Sequence, residues 1–219
     1  MILNNFDWGD LPNYEINNYL DETGRHLYEK FFQVEKNDIV VDIGAFVGSF
    51  TYNILNREPE HCWVIEPVEK YFRLLYKNLR GHQVSFIRGA ISDKPKNEIT
   101  WIGGSSDSVD GVIFKDFITK NCIDKIDFLK TDCEGGEYFI FTNENIEYLK
   151  NNVKKIAGEF HLRSEANKEK FRYFRDNFLT QFDKYEIYSY DDINIKWDLF
   201  NEHFIQYYTE VTIYIDNRK

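Results

Sequence analysis

Cysteine is scarce in the 219-residue chain: Cys62, Cys122 and Cys133 form an odd set with no C-x-x-C spacing. That argues against a disulfide framework and a structural zinc cage, and it suits a reducing, cytosol-like compartment. The first ten residues lack a basic stretch followed by an apolar core. No window approaches the ~18 uninterrupted apolar residues of a membrane helix, so a soluble, cytoplasmic protein is expected. Basic residues are outnumbered, 27 Lys and Arg against 37 Asp and Glu, giving a formal charge of −10. Such a field repels phosphate backbones and anionic lipid, so neither nucleic acid nor membrane insertion is expected. No repeat, linker or low-complexity tract breaks the chain. What is plentiful is apolar and aromatic surface, with 42% hydrophobic residues, 19 Phe and 15 Tyr, enough for one full core.

A third glycine is missing where it would be most telling. Val40-Val41-Asp42-Ile43-Gly44 ends a short β-branched run in a turn closed by Gly48, and Phe50, Ile54 and Leu55 then recur at helical spacing. Dinucleotide folds carry G-x-G-x-x-G, whose middle glycine lets the backbone approach a pyrophosphate. Phe46 stands at that place here. A benzyl group obstructs a diphosphate but tolerates a ligand that meets the turn through an amino-acid tail, as S-adenosylmethionine does. The same feature opposes a nicotinamide-dependent oxidoreductase, although a glycine pair after a strand can also be a plain turn. Glu66 follows the first glycine by ~20 residues, the interval at which such folds place the acid that binds ribose hydroxyls. A solvated loop carboxylate is the alternative reading.

Residues 1–38 read as a polar lead-in and one or two helix pieces, broken at Gly24. Strands are expected at 39–43, 62–65, 84–88, 126–132 and 155–161, with helices at 48–56 and 71–79 between them. Ile99, Trp101 and Ile102 suggest an added hairpin, and 103–107 a polar loop. A helix is expected directly after Glu137 and running through Leu149. Another lies near Phe171–Leu179, followed by two alternating strands at 185–190 and 203–215. This is β/α alternation with a closing β-pair, the pattern of an α/β, doubly wound, mostly parallel sheet. One domain is expected: a lead-in (1–38), a cofactor-binding core (39–161) and a C-terminal helix with its β-pair (162–219).

Asp132, Glu134, Glu159 and His161 fall at the carboxyl ends of the fourth and fifth strands of this core, on the same rim as the glycine turn and Glu66. Like charges gathered there raise the pKa of a carboxylate or imidazole and offer a general base. His161 is the expected base, with Asp132 or Glu159 orienting it. Asp132, Glu134 and Glu159 could instead ligate Mg or Mn. Glu134 and Glu137 equally suit the N-terminus of a helix, whose dipole favours negative charge.

Taken together, Val41-Asp42-Ile43-Gly44-Ala45-x-Val47-Gly48, Ile65-Glu66-Pro67, Gly89-Ala90-Ile91-Ser92-Asp93, Asp127-Phe128-Leu129-Lys130-Thr131-Asp132-Cys133-Glu134-Gly135-x-Glu137 and Glu159-x-His161 resemble the ordered motifs of the FkbM-type S-adenosylmethionine-dependent methyltransferases. The resemblance spans residues 39–161. It implies a Rossmann-like class I methyltransferase fold of seven strands with the last antiparallel. It also implies O-methylation of a hydroxyl on a sugar, glycan or other small molecule. The cofactor pocket would be lined by Asp42, Gly44, Ala45, Phe46, Gly48, Ser49, Phe50, Glu66, Pro67, Val68, Gly89, Ala90, Ile91 and Asp132. Asp132, Glu134 and His161 would flank the acceptor. The family commonly carries a small polar residue where Phe46 stands, so a narrower or ring-stacked acceptor mouth is expected. A non-catalytic binding protein that keeps the fold is the alternative from another class.

Overall fold

The described residues form ten strands, the central ones from short runs buried on both sides, as at Ile39–Ile43 and Ile126–Thr131. In chain order they are β1 (Ile39–Ile43), β2 (His61–Ile65), β3 (Val84–Ile87), β4 (Ala90–Ile91), β5 (Lys96–Thr100), β6 (Ser106–Val112), β7 (Ile126–Thr131), β8 (Val153–His161), β9 (Tyr185–Tyr188) and β10 (Glu210–Asp216). The helices are α1 (Asn13–Gly24), α2 (Ser49–Ile54), α3 (Glu69–Leu79), α4 (Phe114–Lys120), α5 (Ile146–Asn152), α6 (Glu165–Asn177) and α7 (Glu202–Tyr207). The computed structural model describes residues 6–24, 27–100 and 106–219. Among the described residues no helix is long and apolar enough to cross a membrane.

Seven strands make one sheet in the order β3-β2-β1-β7-β8-β10-β9, and β4-β6-β5 make a small second sheet. Val41 lies opposite both Trp63 of β2 and Leu129 of β7, and Thr131 opposite Gly158 of β8, all in parallel register. β10 runs antiparallel to β8 and to β9, between them. The seven-stranded, mostly parallel sheet with an antiparallel last strand is therefore the one expected. The chain leaves β1 toward β2 and β3 on one side, then returns on the other through β7 and β8. That reversal puts a crevice outside the carboxyl ends of β1 and β7, where open α/β sheets hold their ligands.

Aromatic packing closes the C-terminal half. Phe160 of β8 stacks on Phe174 of α6 with ring centroids 4.6 Å apart, and Phe141 meets Phe174 edge-on at 4.8 Å. Phe171 stacks on Phe204, joining α6 to α7. All five rings are buried. Fixing the outer side of β8 in this way fixes the residues at its end.

Several elements differ from expectation. Residues 202–207 are helix α7, and only 210–216 form the closing strand. Phe204, Ile205 and Tyr208 share a helical face rather than a strand face, and the Asn201 side chain accepts the His203 N–H as a cap. After β7 comes a short 3-10 turn at Glu137–Phe139, and α5 starts only at Ile146. Glu137 is turned into the interior instead of standing at a helix start. The sequence reading also passed over α4, and β8 begins two residues early. The hairpin is present as β5 and β6, while Trp101, Ile102 and the loop tip 103–105 lie outside the described residues.

Phe174→Ala is expected to cost about 3–5 kcal/mol, read as a lower urea midpoint at unchanged slope. Removing this ring uncouples α6 from β8.

Candidate active site

The turn after β1 is held by its neighbours rather than by its own sequence. Gly44 has φ 75°. A Cβ there would stand 1.7 Å from the Asp132 carbonyl oxygen, so only glycine lets the turn lie against the end of β7. The Gly44 and Ala45 amides both donate to the Ile65 carbonyl at 3.0 Å. Phe46 also has positive φ, 52°, costing about 1–2 kcal/mol for a residue with a side chain. Two contacts offset that strain. Its N–H donates to Glu66 Oε2 at 2.9 Å, and its ring lies between Tyr19 (4.7 Å) and Tyr71 (4.3 Å). The benzyl group is thus stacked among the protein's own rings.

Beneath the turn sits a buried ion pair. Lys130 is the one basic residue of the fully buried strand β7. Its Nζ donates to the Gly44 carbonyl at 2.7 Å and lies 3.1 Å from Asp42 Oδ1, off the direction of a hydrogen bond. Asp42 Oδ2 accepts from the Thr51 hydroxyl at 2.7 Å. Burial pulls Lys130 down, but the charges of Asp42 and Asp132 outweigh it and hold the ammonium above the ordinary lysine value. Asp42 is 0% exposed and engaged inward on both oxygens. Its side chain anchors the turn from below.

Glu66 closes β2 on the other side. Its carboxylate takes the Phe46 N–H at Oε2 and the Val68 N–H at Oε1 (2.8 Å). Burial nevertheless pushes it up to about 7, with the two amides and Lys130 acting against that rise and Asp42 adding to it. Pro67 and Val68 continue along this edge. Ser49 opens α2, and Phe50 meets Tyr28 and Phe128. The Ala45 and Ile91 side chains belong to the hydrophobic core. Gly89 and Ala90 are buried where β3 passes into β4.

At the ends of β7 and β8 the acids meet the imidazole. Asp132, Glu159 and His161 each place one ligating atom within 4.8 Å of the others. Glu134 Oε2 is 3.6 Å from His161 Nε2, and Asp132 Oδ1 is 3.8 Å away. The expected partners do not orient the ring. Glu137, 0% exposed, does so: its Oε1 accepts both the His161 backbone N–H (2.7 Å) and Nδ1–H (3.1 Å). Its Oε2 accepts the Gly135 N–H at 2.9 Å and the Cys133 thiol at 3.6 Å. Burial pulls the imidazole down, yet the Glu137 hydrogen bond and charge, with Asp132 and Glu134, push it up to about 10. Tyr28 reaches in from the N-terminal segment and donates to Asp132 Oδ2 at 2.9 Å. Glu134 stands largely in solvent, tied to Arg163. It is not in the tight cluster, where His161 takes the place expected for it among metal-ligand candidates.

Sequence reading missed Lys130, Glu137, Tyr28 and Arg163 as parts of this site. A lysine directly after Phe128 and Leu129 in a strand was the available signal for the first. Tyr28, 104 positions from its partner, gave none.

The sheet order, the crevice at its switch point and the glycine turn are those of a Rossmann-like methyltransferase fold. The chain belongs to the FkbM methyltransferase family, whose domain it matches over residues 42–188. Among solved structures it resembles SMU.1697c of Streptococcus mutans, determined in complex with SAH (TM-score 0.52, 12% identity, 95% of this chain and 98% of that one). It also resembles Aeropyrum pernix fibrillarin with natively bound S-adenosyl-L-methionine (0.51, 13%, 91% and 76%) and an rRNA methylase of Streptococcus thermophilus (0.51, 10%, 97% and 100%). At these identities the likeness is one of fold. No curated protein matches the sequence significantly.

Lys130→Met leaves Asp42 buried without a counter-charge and is expected to destabilise by about 3–5 kcal/mol. Chemical denaturation should show the double variant Lys130→Met/Asp42→Asn recovering most of that loss, since it removes both charges together.

Proposed function

We propose that the protein transfers a methyl group from S-adenosylmethionine to a hydroxyl oxygen of a sugar or glycan. The observation that carries this reading is the run of adjacent carboxyl ends, β2-β1-β7-β8. Along it a ribose-type acid (Glu66), a glycine turn (Gly44–Gly48) and a carboxylate–imidazole cluster (Asp132, Glu159, His161) follow in order.

Glu66 bears on whether the cofactor fits. Among the described residues its buried carboxylate finds two amide donors, and its raised pKa marks an anion short of partners. Paired ribose hydroxyls would complete it. The amides of the Gly44 turn would face the amino-acid tail. When bound, S-adenosylmethionine supplies a methyl carbon already activated by its positive sulfur. The chain then has to orient the acceptor oxygen and take its proton. That falls to the rim, where Asp132 and Glu159 are part-exposed and His161 lies beneath them.

Hydroxyl donors suit a surface of carboxylate acceptors, which supports a sugar over an apolar acceptor. Tyr207, exposed at the end of α7, stands two residues before Thr209, whose carbonyl accepts the N–H of Leu162 beside His161. Its ring face suits a pyranose. The net charge of −10 opposes the RNA that the rRNA methylase is named for. Three free thiols agree with work in a reducing compartment such as the cytoplasm.

Calorimetry with S-adenosylmethionine and a screen of sugars and nucleotide sugars with labelled cofactor test this reading. His161→Ala is expected to lower turnover more than about tenfold, roughly 1.4 kcal/mol, with little change in cofactor affinity. Tyr207→Ala is expected to raise KM for the sugar several-fold and leave kcat nearly unchanged.

Cofactor affinity should also depend on pH through Glu66. Ribose hydroxyls donate to the ionised form, and the free carboxyl titrates near 7, well above an ordinary glutamate. Lowering the pH through that value protonates Glu66 and weakens binding, by roughly tenfold between pH 8 and pH 6. A calorimetric pH series would show it, and Glu66→Gln should flatten the profile.

A further inference from the structure

The geometry points to a divalent-cation site formed by Asp132, Glu159 and His161, with one carboxylate oxygen from each acid and Nε2 of the imidazole as ligands. Glu137 serves it as the group that sets the ring. The inference deepens the methyl-transfer reading and rests on it for the purpose of the ion, though not for its binding.

Three observations carry it. The ligating atoms of the three residues lie within 4.8 Å of one another, and the strands impose that proximity: Glu159 and His161 alternate onto one face of β8, and Asp132 follows the neighbouring β7. Next, the His161 side chain is only 2% exposed, and among the described residues its Nε2 makes no hydrogen bond. The carboxylate oxygens paired with it are 3.6 and 3.8 Å away, beyond hydrogen-bond reach. The Nε2 edge of the ring thus faces the acids at ion-pair rather than hydrogen-bond distance. Lastly, Glu137 accepts from Nδ1–H and from the backbone N–H of the same residue, which braces the ring with Nε2 toward the acids, where a cation would take the place of the Nε2 proton. A carboxylate behind the distal nitrogen is the usual support of a metal-bound histidine.

Asp132 is braced in the same way. Its Oδ2 is taken by the Tyr28 hydroxyl, while Oδ1 is the oxygen that faces His161. One imidazole nitrogen with two carboxylates suits Mn²⁺ or a similar first-row ion better than Ca²⁺, which gathers six to eight oxygens. Three protein ligands leave positions open for water and for an acceptor oxygen. An oxygen bound to a cation there loses its proton more readily.

The test uses the full chain, stripped with chelator and titrated with Mn²⁺ alone while the EPR signal of the free ion is followed. One ion per chain should bind, with half-saturation below about 0.1 mM. Asp132→Asn and Glu159→Gln should each weaken binding at least about tenfold, and Glu137→Gln by about 10–100-fold. Glu144→Gln, an exposed acid elsewhere, should leave it unchanged. In the unsubstituted protein, substoichiometric Mn²⁺ should broaden the His161 ring resonances and spare those of His82 and His203. This arm does not depend on any variant folding. A titration that leaves the free-ion signal undiminished, ligand variants that bind like the parent chain, or a His161 signal that stays sharp would each overturn the site. S-adenosylmethionine calorimetry on the stripped chain separates the two readings. Cofactor binding without Mn²⁺ binding removes only the cation site, and Mn²⁺ binding without cofactor binding removes only the methyl-transfer reading.

Discussion

The contact between Lys130 and the turn after β1 is what the crevice depends on. A buried ammonium is costly unless it is paired and hydrogen-bonded. Here it is both, through Asp42 and the Gly44 carbonyl. The pair ties the last residues of β1 and β7 together where the sheet changes direction. Gly44 then lies so close to the Asp132 carbonyl that no side chain fits between them. Any ligand in the crevice is therefore bounded by backbone whose position is set from below.

On that base the two flanks are built by the same device, a buried carboxylate that collects backbone N–H groups. Glu66 holds the amides of Phe46 and Val68 and so shapes the loop after β2. Glu137 holds those of Gly135 and His161 together with the imidazole, and so shapes the loop after β7. Each acid fixes a loop that has no regular hydrogen-bonding pattern of its own. Their environments differ in what remains unfilled. Glu66 is left with spare acceptor capacity, while His161 Nε2 is left facing acids just out of reach.

Residues before and after the family match, Tyr28 and Glu210, take part in contacts that brace this rim. The 3-10 turn at Leu27–Glu29 brings Tyr28 to Asp132. That turn is anchored across the sheet, where the Tyr214 hydroxyl donates to the Leu27 carbonyl and Glu29 accepts from the Val34 amide and pairs with Arg57. At the other end, Arg163 joins Glu134 to Glu210 and so links the rim to the start of β10. The segments on either side of the core are thus stitched to the rim by polar contacts rather than by sequence-local structure.

Strand-forming runs such as Ile39–Ile43 and Ile126–Thr131, the glycine turn and the acids at strand ends were legible in the sequence, because each depends on local composition and spacing. So were the fold class and the family. Helix α7 and the 3-10 turn at Glu137 were not, since a helical face of three apolar residues and a strand alternation look alike over so short a span. Asp42 and Phe46 stand at the positions expected for ligand contacts, yet one is sealed beneath the turn and the other is stacked between Tyr19 and Tyr71. Which carboxylate orients His161, and which tyrosine braces Asp132, was decided only by tertiary structure. Those choices depend on pairings 24 and 104 residues apart, and no local propensity encodes the direction in which a side chain turns once distant strands lie side by side.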